Sequence, residues 1–78
     1  MITGYFMKKE DVLYRIGRKI KKIREEKNIS QQELAGACNF EKSNMSRIEA
    51  GRSNLTIGTL LKVCEFLEIK LVDIVDVE

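Results

Sequence analysis

Hydrogen-bonding side chains are concentrated in one short stretch of this chain, where they could bind a ligand without any covalent chemistry. The stretch contains Lys42, Ser43, Asn44, Ser46 and Arg47, interrupted only by Met45. If this stretch forms a short helix, its exposed face is unusual, because the solvated face of a helix normally also contains Glu and Ala. Ammonium, guanidinium and amide groups each donate several hydrogen bonds, so the stretch indicates recognition rather than catalysis.

The residue types that most catalysis needs are missing. The chain has no histidine and two cysteines, Cys38 and Cys64. This composition excludes a Cys/His zinc site, a His-based acid–base pair and a Cys/His nucleophile. The two cysteines lie far apart in apolar helical segments, a context typical of buried free thiols in a reducing compartment. We expect no catalytic residue, no metal site and no cofactor.

Length and composition predict one small all-α domain. The 78 residues are 44% hydrophobic and 33% charged and include no proline, which is too apolar for intrinsic disorder and favours helices. A chain this short rarely encloses a substrate cleft. No apolar run approaches the roughly 20 residues of a membrane span, and residues 1–9 lack the apolar core of a signal peptide. We expect a soluble cytoplasmic protein with an N-terminal extension, 1–9, and one domain, 10–78.

Charge is distributed unevenly along the chain. Residues 1–27 contain nine Lys/Arg and four Asp/Glu, whereas residues 55–78 contain two Lys/Arg and five Asp/Glu. A basic end and an acidic end suggest a polyanion on one side of the molecule. Taken alone, the basic run 18–22 is equally typical of the solvated face of a helix.

Hydrophobic periodicity and capping patterns predict the first two helices. Apolar residues at helical spacing indicate a helix over about 10–27, with Asn28 as a left-handed stop. Ser30 and Glu33 then have the spacing of a capping box, in which each side chain bonds the backbone N–H of the other residue. The second helix is short and should end near Asn39, because Asn tolerates the left-handed conformation of a tight turn.

The polar stretch falls on a predicted third helix. This helix runs over about 42–49, with Met45 and Ile48 pointing inward and Gly51 as its C-terminal glycine. A polar loop, 52–54, follows it.

The sequence of the last third of the chain predicts a fourth helix, and it leaves the secondary structure of the tail open. Thr56 can cap the fourth helix, whose apolar stripe comprises Ile57, Leu60, Leu61, Cys64 and Leu67. Val63 and Phe66 fall off this stripe and must be covered by a fifth helix or by a dimer partner. The tail, 69–77, permits either a short fifth helix or a strand, and we favour the helix.

The second and third helices, joined by a tight turn, have the sequence form of a helix-turn-helix unit. Segment 30–51 resembles the helix-turn-helix of the phage repressor and Cro (XRE-like) family. The matching features are the leading Gln31, the Leu34-Ala35 pair, the turn residue Asn39, the run from Met45 to Glu49 and the closing Gly51. With its flanking helices the resemblance covers about residues 11–74 and implies a compact five-helix repressor-like domain.

The resemblance implies a sequence-specific transcriptional regulator whose recognition helix, Lys42–Glu49, enters the major groove of double-stranded DNA. The positions that contact base edges in the family correspond here to Lys42, Ser43, Asn44 and Arg47. The positions expected at phosphates are Gln31, Ser46, Arg52, Ser53 and Asn54. Alternatively, Arg47 lies along the DNA backbone and contacts phosphate. No small-molecule ligand is implied.

The resemblance also implies a structural ion pair. Arg24 projects to the margin of the first helix's apolar stripe beside Gly17, and a partly buried guanidinium needs a carboxylate partner. In the family a matching Arg pairs with the Glu that ends the recognition helix, which is Glu49 here. The chain departs from the family at Glu41, often a Ser or Thr cap, and at Ala50, usually polar; both changes are expected to weaken a phosphate contact.

A module of this size contacts few base pairs, so a homodimer on a palindromic site is expected. The predicted dimer surface comprises Val63, Phe66, Leu71, Ile74 and Val75. The alternative hypothesis is a protein-interaction module, such as an antitoxin or adaptor with the same fold. Such a module needs neither a sequence preference nor salt-dependent DNA binding.

Overall fold

The computed structural model describes residues 8–75, which form five α-helices joined by short turns. The helices are α1 (Lys9–Glu26), α2 (Gln31–Ala37), α3 (Lys42–Glu49), α4 (Ile57–Leu67) and α5 (Val72–Val75). No strand occurs in residues 8–75, so the all-α, five-helix prediction is confirmed, and within the tail Val72–Val75 are helical. Residues 1–7 of the predicted extension and residues 76 and 77 of the tail lie outside the described range.

Side-chain caps determine where α2 and α4 begin. The Ser30 hydroxyl accepts from the Glu33 N–H at 2.9 Å, and the Glu33 carboxylate accepts from the Ser30 N–H at 2.8 Å, which completes the capping box. The pKa of Glu33 is lowered, mainly by the hydrogen bond from the Ser30 backbone N–H and to a smaller extent by hydrogen bonding with the Ser30 side chain. Both interactions favour the ionised carboxylate. At α4, Thr56 Oγ1 accepts from the Thr59 N–H at 3.1 Å.

Left-handed residues end the helices where the turns are tight. Asn28 and Asn39 have φ values of 58° and 60°, and Gly51 has a φ of 77°. Glu68, at the end of α4, also has a φ of 58°. That stop could not be predicted from residue type, because glutamate rarely adopts this conformation. The Ile69 N–H nevertheless bonds the Cys64 carbonyl at 3.0 Å and closes the helix end.

The core lies between α1, the helix-turn-helix unit and the last two helices. Its buried apolar residues are Ile16, Ile20, Leu34, Ala35, Cys38, Met45, Ile48, Leu60, Val63, Cys64, Leu67 and Ile74. The predicted stripe of α4 was wrong in part: Ile57 is 61% and Leu61 51% exposed, whereas Val63 is fully buried. Positions 60, 63, 64 and 67 also recur at helical spacing, so α4 is rotated toward the Val63 side of the predicted stripe. No helix of residues 8–75 is long and apolar enough to cross a membrane.

A glycine lets α1 approach the end of α3 closely. A Cβ atom at Gly17 would lie 2.5 Å from the Ile48 carbonyl oxygen and 2.6 Å from that of Glu49. Both oxygens are backbone atoms at the last turn of α3, so a side chain at this position would displace α3 itself. Gly17 therefore determines how α1 holds α3.

Candidate nucleic-acid interface

The helix-turn-helix unit consists of α2, with 7 residues, and α3, with 8 residues. Asn39 reverses the chain between them, and the Phe40 N–H bonds the Ala35 carbonyl at 2.8 Å. Leu34 and Ala35 on α2 face the core together with Met45 and Ile48 on α3. Because the inward faces of both helices are fixed in this way, the outward face of α3 is held in a defined orientation.

The outward face of α3 is polar and open to solvent. Lys42, Ser43, Ser46 and Arg47 are exposed and Asn44 is half-buried. Arg47 Nη2 donates to Asn44 Oδ1 at 3.4 Å, a long bond that a ligand can replace. Ammonium, guanidinium, amide and hydroxyl groups thus lie along one short helix, with the chemistry needed to contact base edges and phosphates.

A buried ion pair connects α1 to the last residue of α3. Arg24 Nε donates to Glu49 Oε2 at 2.7 Å, and Arg24 Nη2 donates to Glu49 Oε1 at 3.1 Å, so the pair is bidentate. Arg24 is 7% and Glu49 4% exposed. The hydrogen bond to Glu49 raises the pKa of Arg24 against the opposing effect of burial. Arg24 Nη1 also donates to the Ile29 carbonyl at 2.8 Å, so the same guanidinium fixes the α1–α2 turn.

The ion pair also holds Gln31, the first residue of α2. Gln31 Nε2 donates to Glu49 Oε1 at 3.0 Å. One amide hydrogen is used in this bond, which leaves the second hydrogen and the amide oxygen for an external partner. Sequence reasoning predicted a phosphate contact for Gln31 but missed its link to Glu49, because the two residues are separated by 18 positions and no periodicity connects them.

The loop after α3 is supported by the first half of α1. In this loop Arg52 and Asn54 are exposed and Ser53 is half-buried. A Cβ atom at Gly51 would lie 2.6 Å from the Tyr14 Cα atom, so the loop starts directly against the backbone of α1. No local sequence pattern links Tyr14 to this region. Its signal was weak, since Tyr14 is an isolated aromatic residue on the polar side of α1.

The predicted dimer surface needs a correction. Val63 and Ile74 have no exposed surface because they pack inside the monomer, so their assignment to a dimer interface was wrong. Leu71 and Val75 are partly buried against the same core, and Phe66 is 41% exposed. The largest exposed aliphatic side chains on α4 and α5 belong to three other residues, namely Ile57, Leu61 and Val72.

The two cysteines are free thiols within the core. Cys38 is 2% and Cys64 5% exposed. Burial raises the pKa of both thiols, which keeps them protonated and poorly nucleophilic. Their role in the described structure is packing.

Comparisons with known proteins agree with this geometry. Residues 19–78 match the sequence profile of the Cro/C1-type HTH DNA-binding domain. The control protein C.MunI of Mycoplasma sp is 36% identical over 62 residues, which are 78% of this chain and 84% of that protein. Control protein C.BamHI of Bacillus amyloliquefaciens is 33% identical over 61 residues, or 77% of this chain and 75% of that protein. The crystal structure of the restriction-modification controller protein C.AhdI from Aeromonas hydrophila is similar, with a TM-score of 0.76, 26% identity and coverage of 80% of this chain and 94% of that one. The chain therefore belongs to the family of Cro/C1-type helix-turn-helix DNA-binding domains.

Proposed function

We propose that this protein is a sequence-specific DNA-binding transcriptional regulator that inserts α3 into the major groove. The observation that carries the proposal is the exposed hydrogen-bonding face of α3, held on a helix-turn-helix unit whose inward face is buried. A major groove about 12 Å wide admits one such helix. This face binds DNA and has no catalytic role. The protein acts on DNA in the cytoplasm.

The side chains at the start of α3 are assigned to base edges. Lys42 and Arg47 can donate to O6 and N7 of guanine, Asn44 can pair with adenine through two hydrogen bonds, and Ser43 discriminates weakly. Arg47 is the strongest assignment, because its planar guanidinium fixes orientation as well as charge.

A second set of residues is assigned to phosphates on either side of the groove. Gln31 would use the amide hydrogen that remains after its bond to Glu49. The other members of the set are Ser46 on α3 and the loop residues Arg52, Ser53 and Asn54. Contacts of this type set affinity and orientation but carry little sequence information.

We further propose a symmetric homodimer that binds a palindromic site. Ile57 and Leu61 lie one helical turn apart on α4 and, like Val72 on α5, expose more than half of their surface. These three side chains, rather than Val63 and Ile74, would supply the apolar part of the interface. Phe66 lies on the opposite flank of α4, beside Lys62 and Glu65.

Selection from random duplexes followed by sequencing tests the proposal. The wild-type protein should enrich a palindromic motif with guanine or adenine at the positions that α3 contacts. A Lys42→Ala/Arg47→Ala variant should lose the motif, whereas Lys62→Gln, which removes one charge from α4, should retain it. Failure of the wild-type protein to enrich any motif would favour the interaction-module hypothesis instead.

A further inference from the structure

A row of one tyrosine and three cationic residues on α1, of which Lys21 is half-buried and the others are exposed, has no role in the function proposed so far. The row begins at Tyr14 and continues four positions later at Arg18; Lys21 and Lys22 follow Arg18 by three and four positions, so all four share one side of the helix. We refer to these four residues as the α1 basic row. Arg18, Lys21 and Lys22 line one shallow surface depression together with Lys19 and Glu25.

The cations of the α1 basic row are not neutralised within the described part of the chain. Arg18, Lys21 and Lys22 have no ion pair there, and Glu25 lies 4.0 Å from Arg24 Nη2. Like charges at this helical spacing repel one another and destabilise a helix. The arrangement costs stability in the free protein, and an anionic ligand would reverse that cost.

The α1 basic row begins beside the loop that is assigned to phosphate. The Tyr14 backbone is packed against Gly51, and Arg52 is the next residue. Tyr14 is 53% exposed, and the Arg18 guanidinium carbon lies 6.0 Å from the centroid of its ring. The ring restricts the orientation of the guanidinium. The Tyr14 hydroxyl is itself a hydrogen-bond donor for a phosphate oxygen.

We propose that the α1 basic row is an additional binding site for the phosphodiester backbone of the same DNA duplex, continuous with the 52–54 loop. This inference rests on the proposed function. Tyr14 and Arg18 bind the phosphate next to the one at the loop, and Lys21 and Lys22 follow the strand along α1. The site adds affinity without sequence preference, because its partners are phosphates alone.

The salt dependence of DNA binding by charge-removing variants tests this site. Dissociation constants are measured over a series of salt concentrations, on a selected duplex and on an unrelated duplex, for the wild type, Arg18→Gln, Arg18→Gln/Lys22→Gln and the control Lys62→Gln. Loss of one phosphate contact per protomer should lower the slope of log K against log salt by about one for each bound protomer, and loss of two contacts per protomer by about two for each. Lys62→Gln should leave the slope unchanged, and the ratio between the two duplexes should stay the same in every variant.

Two results would overturn the inference, and they are distinguishable. If the wild type binds DNA but Arg18→Gln has the slope of Lys62→Gln, the α1 basic row is only a solvated face and the proposed function stands. If the wild type binds neither duplex in a salt-dependent way, the proposed function fails and this site fails with it. Circular dichroism of each variant checks that the fold is unchanged.

Discussion

At the scale of single residues, Glu49 has two roles that one substitution can expose. It neutralises Arg24 inside the protein and it holds the Gln31 amide. We expect Glu49→Gln to lower the free energy of unfolding by about 3 kcal/mol, because it leaves a buried guanidinium without its counter-charge. The matched control is Glu65→Gln, an exposed position where the change should stay within about 0.5 kcal/mol. Urea unfolding would measure both; equal losses in the two variants would mean that the ion pair contributes little.

Arg47 and Arg52 are a second pair of residues that should behave differently. We expect Arg47→Ala to lose roughly 1–3 kcal/mol of binding free energy on the preferred site and to relax discrimination at one position per half-site. Arg52→Ala should instead weaken binding to all duplexes alike and lower the salt slope by about one for each bound protomer. Titration of each variant against single-base variants of the site separates the two effects. A uniform loss for Arg47→Ala, with every preference intact, would assign Arg47 to phosphate.

At the scale of elements, the contact between α1 and α3 depends on Gly17. We expect Gly17→Ala to destabilise the fold by about 1–3 kcal/mol and to weaken DNA binding further, because the new methyl group meets backbone atoms of α3. Gly36→Ala is the matched control, since a Cβ atom there has no neighbour within 4 Å. Alanine at that helical position should stabilise the protein by roughly 0.5–1 kcal/mol. Thermal unfolding would contradict this account if both variants changed stability in the same direction.

Local signals predicted some elements well and others poorly. The Ser30–Glu33 capping box and the stops at Asn39 and Gly51 depend on interactions between near neighbours in sequence, and the structure contains each of them. The buried face of α4 was mispredicted because the helix has apolar residues on more than one side, so hydropathy alone could not identify the side that meets the core. Only packing against other helices, α2 among them, resolves that choice.

In the candidate site, too, some features follow from neighbouring residues in the sequence, whereas others depend on contacts between distant residues. The polar face of α3 follows from the sequence, because its residues are consecutive and its inward positions, Met45 and Ile48, are apolar. The bond from Gln31 to Glu49 and the contact of Tyr14 with Gly51 depend on how separate helices pack. A periodicity argument applies within one helix and contains no information about such pairs.

Two copies of the protein should form a homodimer through a specific apolar contact. Leu61→Lys should shift the protein from dimer to monomer in sedimentation velocity, because it places a charge in the proposed interface. Phe66→Lys, on the opposite flank of α4, is the control and should remain dimeric. Two recognition helices would then lie about 34 Å apart on the site. A wild type that is monomeric at high micromolar concentration, both free and on DNA, would contradict the dimer.

The proposed function depends on recognition of a DNA sequence by α3. The most direct measurement compares two dissociation constants at the same near-physiological salt concentration, one for the selected duplex and one for a scrambled duplex of equal length and composition. We expect a preference of about 10³ or more for the selected duplex, because base contacts add to a phosphate contribution that both duplexes share. Equal dissociation constants for the two duplexes would contradict it.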